Sequence, residues 1–329
     1  MIGATTPSLV TRTAGANAIA EAAAILAAGG LVAFPTETVY GLGADATNGE
    51  AVARLYEAKG RPAFNPLIAH IPDLAAAEAL ARFDAAAAKL ARAFWPGPLT
   101  LVLPKAPDCP MSELATAGLD SIALRVPSHP LAQKLLSSFG RPVVAPSANR
   151  SGHVSPTTAA HVLADLDGRI DLIIDGGATK VGVESTIVAC LGEPMLLRPG
   201  GVPREAIEQT LGHVLAARLA EDNTEAPLAP GMLASHYAPH TRLRLDARTV
   251  EPGEALLAFG PALATGSSHA VKVMNLSSRG STTEAAANLF SHLRALDAAG
   301  AKTIAVMPIP HQGLGEAIND RLLRAAAPR

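Results

Sequence analysis

Several short stretches of this chain place cations, hydroxyls and amides where an anion could be gripped. Lys59-Gly60-Arg61-Pro62, followed by Asn65-Pro66, sets two cations around a glycine just past a helical stretch. At that spacing they can straddle a polyphosphate, with the arginine as a two-pronged donor; the alternative is a basic helix end answering the helix dipole. Ala145 to Gly152 contains Ser147, Asn149 and Arg150, and Ser155-Pro156-Thr157 follows. Small donors beside glycine let backbone approach phosphate oxygens, and a helix start expected near Ser155 would add N–H donors. A Ser/Asn-rich turn with a helix cap is the alternative there.

Pro35-Thr36-Glu37-Thr38-Val39-Tyr40-Gly41-Leu42-Gly43 follows an apolar run and is expected to be a loop around a small polar ligand, or else a turn with a capping threonine. Arg125 sits inside Ile122–Val126, and Arg198 follows Met195-Leu196-Leu197. A guanidinium in an apolar strand needs a partner, either a ligand or a structural salt bridge. Glu184-Ser185-Thr186 precedes another apolar run, and His70 ends one, where a satisfied core histidine is the alternative to a ligand contact.

Known nucleotide and metal signatures are missing from the sequence. It holds no G-x-x-x-x-G-K-[ST] loop, no complete G-x-G-x-x-G, no H-E-x-x-H and no zinc spacing. The two cysteines, Cys109 and Cys190, form no C-x-x-C pair and are expected to be reduced. With 27 Lys and Arg against 29 Asp and Glu, the chain has no basic excess, and aromatics are only 3 %. Both facts argue against a dedicated RNA-binding module built on a basic stripe or stacking platforms. No apolar run approaches the ~20 residues of a membrane span, so a cytoplasmic protein is expected.

The elements that must position these residues are legible in outline. At 329 residues, 49 % of them apolar, the chain has room for about two domains of roughly 150 residues. Helices are expected at 14–28, about 50–58, in two alanine-rich stretches with Asp84 capping the second, and near 203–217. Apolar runs at 31–34, 67–71, 99–103, 121–126, 142–145, 171–175, 186–190 and 194–198 read as strands. Strands mixed with helices imply an α/β domain with a buried sheet, and the polar clusters follow the strands, where such sheets bind ligands. Residues 220–241 are proline-rich and aperiodic, a linker by composition. Beyond them, strands at 255–259, 271–276 and 303–307 and helices at about 282–299 and 315–326 indicate a smaller α/β domain. The divisions are therefore 1–210, a linker at 211–241, and 242–329.

Taken in order, FPTETVYGLG, AKGRPAFNPL, ALRVPSHP, APSANRSGHVSPT, GVESTIV and LLRPGGVPRE resemble the YrdC-like family of threonylcarbamoyl-AMP synthases, and APGMLASHYAPH and GLGEAINDRLLRAA look like its long form. The resemblance implies a twisted mixed-sheet domain followed by a smaller Rossmann-like one. It implies a nucleotidyltransferase that joins L-threonine, bicarbonate or carbon dioxide, and ATP into threonylcarbamoyl-AMP and pyrophosphate. Magnesium would come with the ATP, and the product would go to a tRNA-modifying transferase complex. Lys59 and Arg61 would be catalytic. With Ser147, Asn149, Ser155, Arg198, His236 and Tyr237 they would hold ATP. Thr36, His70, Ser121, Arg125 and Ser185 would hold threonine or its carbamate, with Arg125 on the amino-acid carboxylate. Tyr237, with His236, would close over the occupied site. Glu37, Asp45 and Glu184 are the candidate metal carboxylates. A carbamoyl-phosphate-dependent transferase and a non-catalytic RNA-binding module are the rival readings, and direct tRNA binding is left open.

Overall fold

The computed structural model describes residues 10–62, 65–216 and 237–328. In the first domain the strands are β1 (Arg12–Ala14), β2 (Val32–Pro35), β3 (Tyr40–Asp45), β4 (Ile68–His70), β5 (Leu99–Pro104), β6 (Ser121–Arg125), β7 (Val143–Val144), β8 (Leu172–Ile174), β9 (Thr186–Ala189) and β10 (Met195–Arg198). The helices are α1 (Ile19–Ala27), α2 (Gly49–Lys59), α3 (Leu74–Glu78), α4 (Ala85–Phe94), α5 (Glu113–Thr116), α6 (Pro130–Phe139), α7 (Ala159–Leu166) and α8 (Arg204–Leu211). The strands form one mixed sheet in the order β1-β8-β2-β3-β7-β4-β6-β5-β9-β10. Leu42, Leu55, Leu90, Leu101 and Leu124 are among the aliphatic side chains that fill its main core, as the scarcity of aromatics requires.

The second domain holds β11 (Arg242–Arg244), β12 (Glu254–Ala258), β13 (Val273–Asn275), β14 (Thr303–Val306), α9 (Thr282–Asp297) and α10 (Gly315–Ala326). Its sheet runs β11-β14-β12-β13, with every pairing parallel. The two domains share a core. Val39, Val154 and Val183 of the first pack with Leu257, Leu289 and Phe290 of the second. At Gly182 (φ +77°) a Cβ would lie 2.3 Å from the Ala286 carbonyl oxygen, so the backbone passes against α9 where no side chain fits. Arg294 crosses to Asp165 at 2.9 Å, and the Ala238 N–H donates to the Gly152 carbonyl at 2.9 Å.

Local chemistry sets the element ends that matter. The Asn48 side chain caps α2 by accepting from the Glu50 and Ala51 N–H groups. The helix stops at Gly60, whose φ of +59° is the left-handed turn that releases the chain toward Arg61. Asp84 caps α4, as the sequence indicates, and Ser281 caps α9.

Two expectations need correction. Residues 35–43 are not one long loop: only the turn after Pro35 is irregular, and Tyr40–Asp45 is a fully buried strand. Its glycines serve packing, since a Cβ at Gly43 would approach Phe34 to 2.9 Å and Val143 to 3.0 Å. The helix expected to start near Ser155 begins at Ala159, capped by Thr158, because Pro156 and two further polar residues hold the chain extended first.

Candidate active site

One edge of the large sheet collects most of the chemistry. There β4 ends at His70, β6 at Arg125 and β10 at Arg198, and β9 begins just after Ser185. His70 and Arg125 are direct partners in the parallel β4–β6 ladder. From β4 to β10 is four strand spacings, roughly 19 Å across a flat sheet. The register break between Leu196 and Arg198 helps curl this end inward. Val39, Arg61, Ile68, His70, Arg125 and Ser147, with Glu184, Ser185, Arg198 and Tyr237, line one hollow.

The cations differ in their partners. The Lys59 ammonium donates to the Ser147 carbonyl at 2.5 Å and to the Asn149 carbonyl. Burial, then the neighbouring Arg61 charge, holds its pKa well below that of an ordinary lysine. Arg61 reaches the Asn65 and Pro66 carbonyls at 3.4 and 3.3 Å, and its Nε has no hydrogen-bond partner among the described residues. Burial brings its guanidinium down to about 10. Arg198 donates through Nε and Nη2 to the Ser185 carbonyl at 3.2 and 2.9 Å, and to the Ser185 hydroxyl at 3.2 Å.

Arg125 was expected to wait for a substrate carboxylate; Glu37 already supplies one at 2.6 Å, with both side chains buried. Burial opposes ionisation of Glu37, but the Arg125 charge and hydrogen bonds from Arg125 and the Ser128 N–H hold its pKa below the usual carboxylate value. His70 is buried beside Arg125, and burial first, then that charge, depresses its pKa to about 3. It is a neutral imidazole at any physiological pH.

Other expected contacts lie elsewhere. The Thr36 hydroxyl is used within its turn, donating to the Val39 carbonyl at 2.7 Å and accepting from the Thr38 and Val39 N–H groups. Ser121 opens β6 opposite Pro104, about 13 Å along the strand from Arg125 and away from the hollow. The Ser155 hydroxyl donates to Glu184. Asn149 lies behind the wall, giving its carbonyl to Lys59 and its amide to the Arg150 and His153 carbonyls at 2.8 and 2.9 Å. His236 lies outside the described residues. Tyr237 is buried, with φ +63°, and stacks on Phe290 at 5.8 Å between centroids.

The candidate metal carboxylates are all engaged by cations: Glu37 by Arg125, Asp45 by Arg141 at 3.0 Å and Glu184 by Arg321 at 2.8 Å. Among the described residues no cluster of three or more His, Cys, Asp or Glu side chains could hold a metal. No helix of the described residues is long and apolar enough to cross a membrane.

The sequence reading missed two residues. Asn65 is buried with its Oδ1 unpartnered, beside Arg61, whereas the sequence shows it only as a neighbour of the Lys59–Arg61 pair. Arg321 is the second; Ala317, Ile318, Leu322 and Ala325 mark it as an arginine on the buried stripe of α10.

Comparison with known proteins identifies the family and the fold. A family model described as "Telomere recombination" matches residues 24–200, and one described as the C-terminal domain of threonylcarbamoyl-AMP synthase matches residues 202–327. A threonylcarbamoyl-AMP synthase of Bacillus subtilis is 44 % identical, covering 94 % of this chain and 93 % of its own length. One from Pyrococcus abyssi is 43 % identical over 94 % of each. The crystal structure of P. abyssi Sua5 complexed with L-threonine superposes with a TM-score of 0.86 at 39 % identity, covering 96 % of this chain and 97 % of that one. With both of its domains matched along nearly the whole length of such relatives, the chain belongs to the threonylcarbamoyl-AMP synthase family, in its long two-domain form.

Proposed function

We propose that this chain makes threonylcarbamoyl-AMP and pyrophosphate from L-threonine, bicarbonate or carbon dioxide, and MgATP, as a nucleotidyltransferase supplying a tRNA modification. The observation that carries the reading is the meeting of Arg61, Arg125, Arg198 and neutral His70 around one hollow, in a chain of this family.

The chemistry asks little of a general base. A neutral threonine amine adds to carbon dioxide, forming an N–C bond, and releases a proton to give the carbamate. A carbamate oxygen then attacks the α-phosphorus, the bond to the bridging oxygen breaks, and pyrophosphate leaves. What is needed is alignment and stabilisation of growing negative charge. Arg61 and Lys59 are assigned to the triphosphate, together with Arg198 and Ser147. Arrival of phosphates favours the ammonium form of Lys59, which burial otherwise disfavours. His70, Ser185 and the Arg125–Glu37 pair form the threonine end: Arg125 to the amino-acid carboxylate, Glu37 balancing the charge. Magnesium belongs to this proposal as part of the substrate, on the phosphate oxygens, since the carboxylates nearby are already bound to cations. Tyr237 covers the hollow and limits water, which protects a hydrolysable adenylate. Passing the product to a tRNA-modifying transferase follows from its being an activated acyl donor.

Incubation with L-threonine, bicarbonate and MgATP tests the reading. Pyrophosphate release should require threonine and bicarbonate together. Release independent of threonine, or activity only when carbamoyl phosphate replaces threonine and bicarbonate, would overturn it. In Tyr237→Ala, adenylate yield should fall and hydrolysis rise; unchanged yield with unchanged nucleotide affinity would remove the covering role.

A further inference from the structure

The C-terminal domain sends one charged group to a wall residue of the site, Glu184, and the reaction above gives it no task. Arg321, on α10, is fully excluded from solvent. Its Nε donates to Glu184 Oε2 at 2.8 Å and its Nη1 to Asp320 Oδ2 at 2.5 Å. Its Cζ lies 5.0 Å from the centre of the Tyr237 ring, and its Nη2 has no hydrogen-bond partner among the described residues. Glu184 in turn lines the hollow beside Arg198, and its other oxygen accepts from Ser155. An acidic side chain in the wall of a polyanion site is a liability. Left without a cation it either repels the phosphates or takes Arg198 for itself. Asp320, already shared with Arg324 at 3.0 Å, needs Arg321 less than Glu184 does.

We propose that Arg321 is a positioning residue of the C-terminal domain: it neutralises and holds Glu184, so that the hollow in the other domain keeps the net positive charge a nucleoside triphosphate requires. The inference rests on the functional reading above and gives the second domain a direct part in nucleotide binding. Arg321 acts through Glu184 and does not itself line the hollow. Its removal should weaken MgATP binding and leave threonine, which carries no net charge, little affected.

A double-mutant cycle tests this, reading MgATP affinity at equilibrium and the KM for each substrate in wild type, R321M, E184Q and E184Q/R321M. R321M should lower MgATP affinity at least tenfold and change the threonine KM less than about twofold. E184Q/R321M should return to within about threefold of E184Q alone, and R321K should keep most of the wild-type affinity. R321M binding MgATP as wild type does would overturn the proposal. So would a double variant that keeps the whole R321M defect, because a packing role in α10 is not cured by a second change in another domain. If R321M does not fold, the comparison of E184Q/R321M with E184Q decides in the same way: equal affinity supports the proposal, and a further loss overturns it. A wild-type chain with no measurable MgATP affinity would remove the functional reading itself, and this inference with it.

Discussion

The two ends of the hollow are built on different electrostatic plans. At one end Arg125 carries its own carboxylate, Glu37, and lies beside an uncharged imidazole. At the other, Arg61 hydrogen-bonds to neutral carbonyls, and Lys59, outside the lining, is tied to the carbonyl of the wall residue Ser147 and becomes a full cation as phosphates arrive. A compensated pair offers oriented donors with little net field, which suits a small zwitterion. Cations held only by carbonyl dipoles keep their field, which suits a polyphosphate. A single arginine in an apolar strand therefore does not announce its role: the partner decides whether it is a charge to be used or a charge already balanced.

Removing Glu37 should make the two ends alike. Glu37→Ala leaves Arg125 buried without its carboxylate and should cost about 3–5 kcal/mol of stability by chemical denaturation. The pH dependence has a defined sign. The pKa of Glu37 is lowered in the folded state, so its contribution is present above the ordinary carboxylate range and is lost as pH falls through the folded value. A Glu37→Ala variant as stable as wild type at pH 7 would break the compensated end of the comparison.

At the uncompensated end, Lys59→Ala should slow threonine-dependent pyrophosphate release about 100-fold, or roughly 2.7 kcal/mol, with the threonine KM nearly unchanged. An equal rise in both substrates' KM would show that the ends are not separate. The imidazole sharpens the contrast. His70 stays neutral down to about 3 in the folded protein, against 6.5 for the free group. The unfolded chain thus binds more protons between those values, and stability falls as pH is lowered through that window. Between pH 6.5 and 5, wild type should lose about 1.6 kcal/mol more than His70→Gln, as read from urea unfolding. A parallel loss in both would mean that the imidazole is charged. The smallest effect belongs to Thr36, whose hydroxyl closes a turn: Thr36→Ala should cost about 1 kcal/mol of stability and leave the threonine KM within twofold. A large KM change would put the hydroxyl on the substrate and redraw the compensated end.

What the sequence determined by itself was the identity of the elements and the types of group available. Aliphatic runs and a cap such as Asp84 are local, and local physics is written in neighbouring residues. The clusters at Lys59–Arg61 and Ser147–Asn149, and the isolated Arg125 and Arg198, were visible for the same reason. Hydrogen-bond partners across long sequence distances were not. Nothing local told that Glu37 would reach Arg125, 88 residues away, or that Glu184 would meet Arg321, 137 residues away. Nor did it show that Tyr40–Asp45 would be a central strand, since two glycines and an aspartate within it argue against one until the neighbours Phe34 and Val143 fill the space a Cβ would need. Only the tertiary structure decided which cations are spent and which are left with their field, because that depends on which carboxylates the folded sheet and the second domain bring beside them.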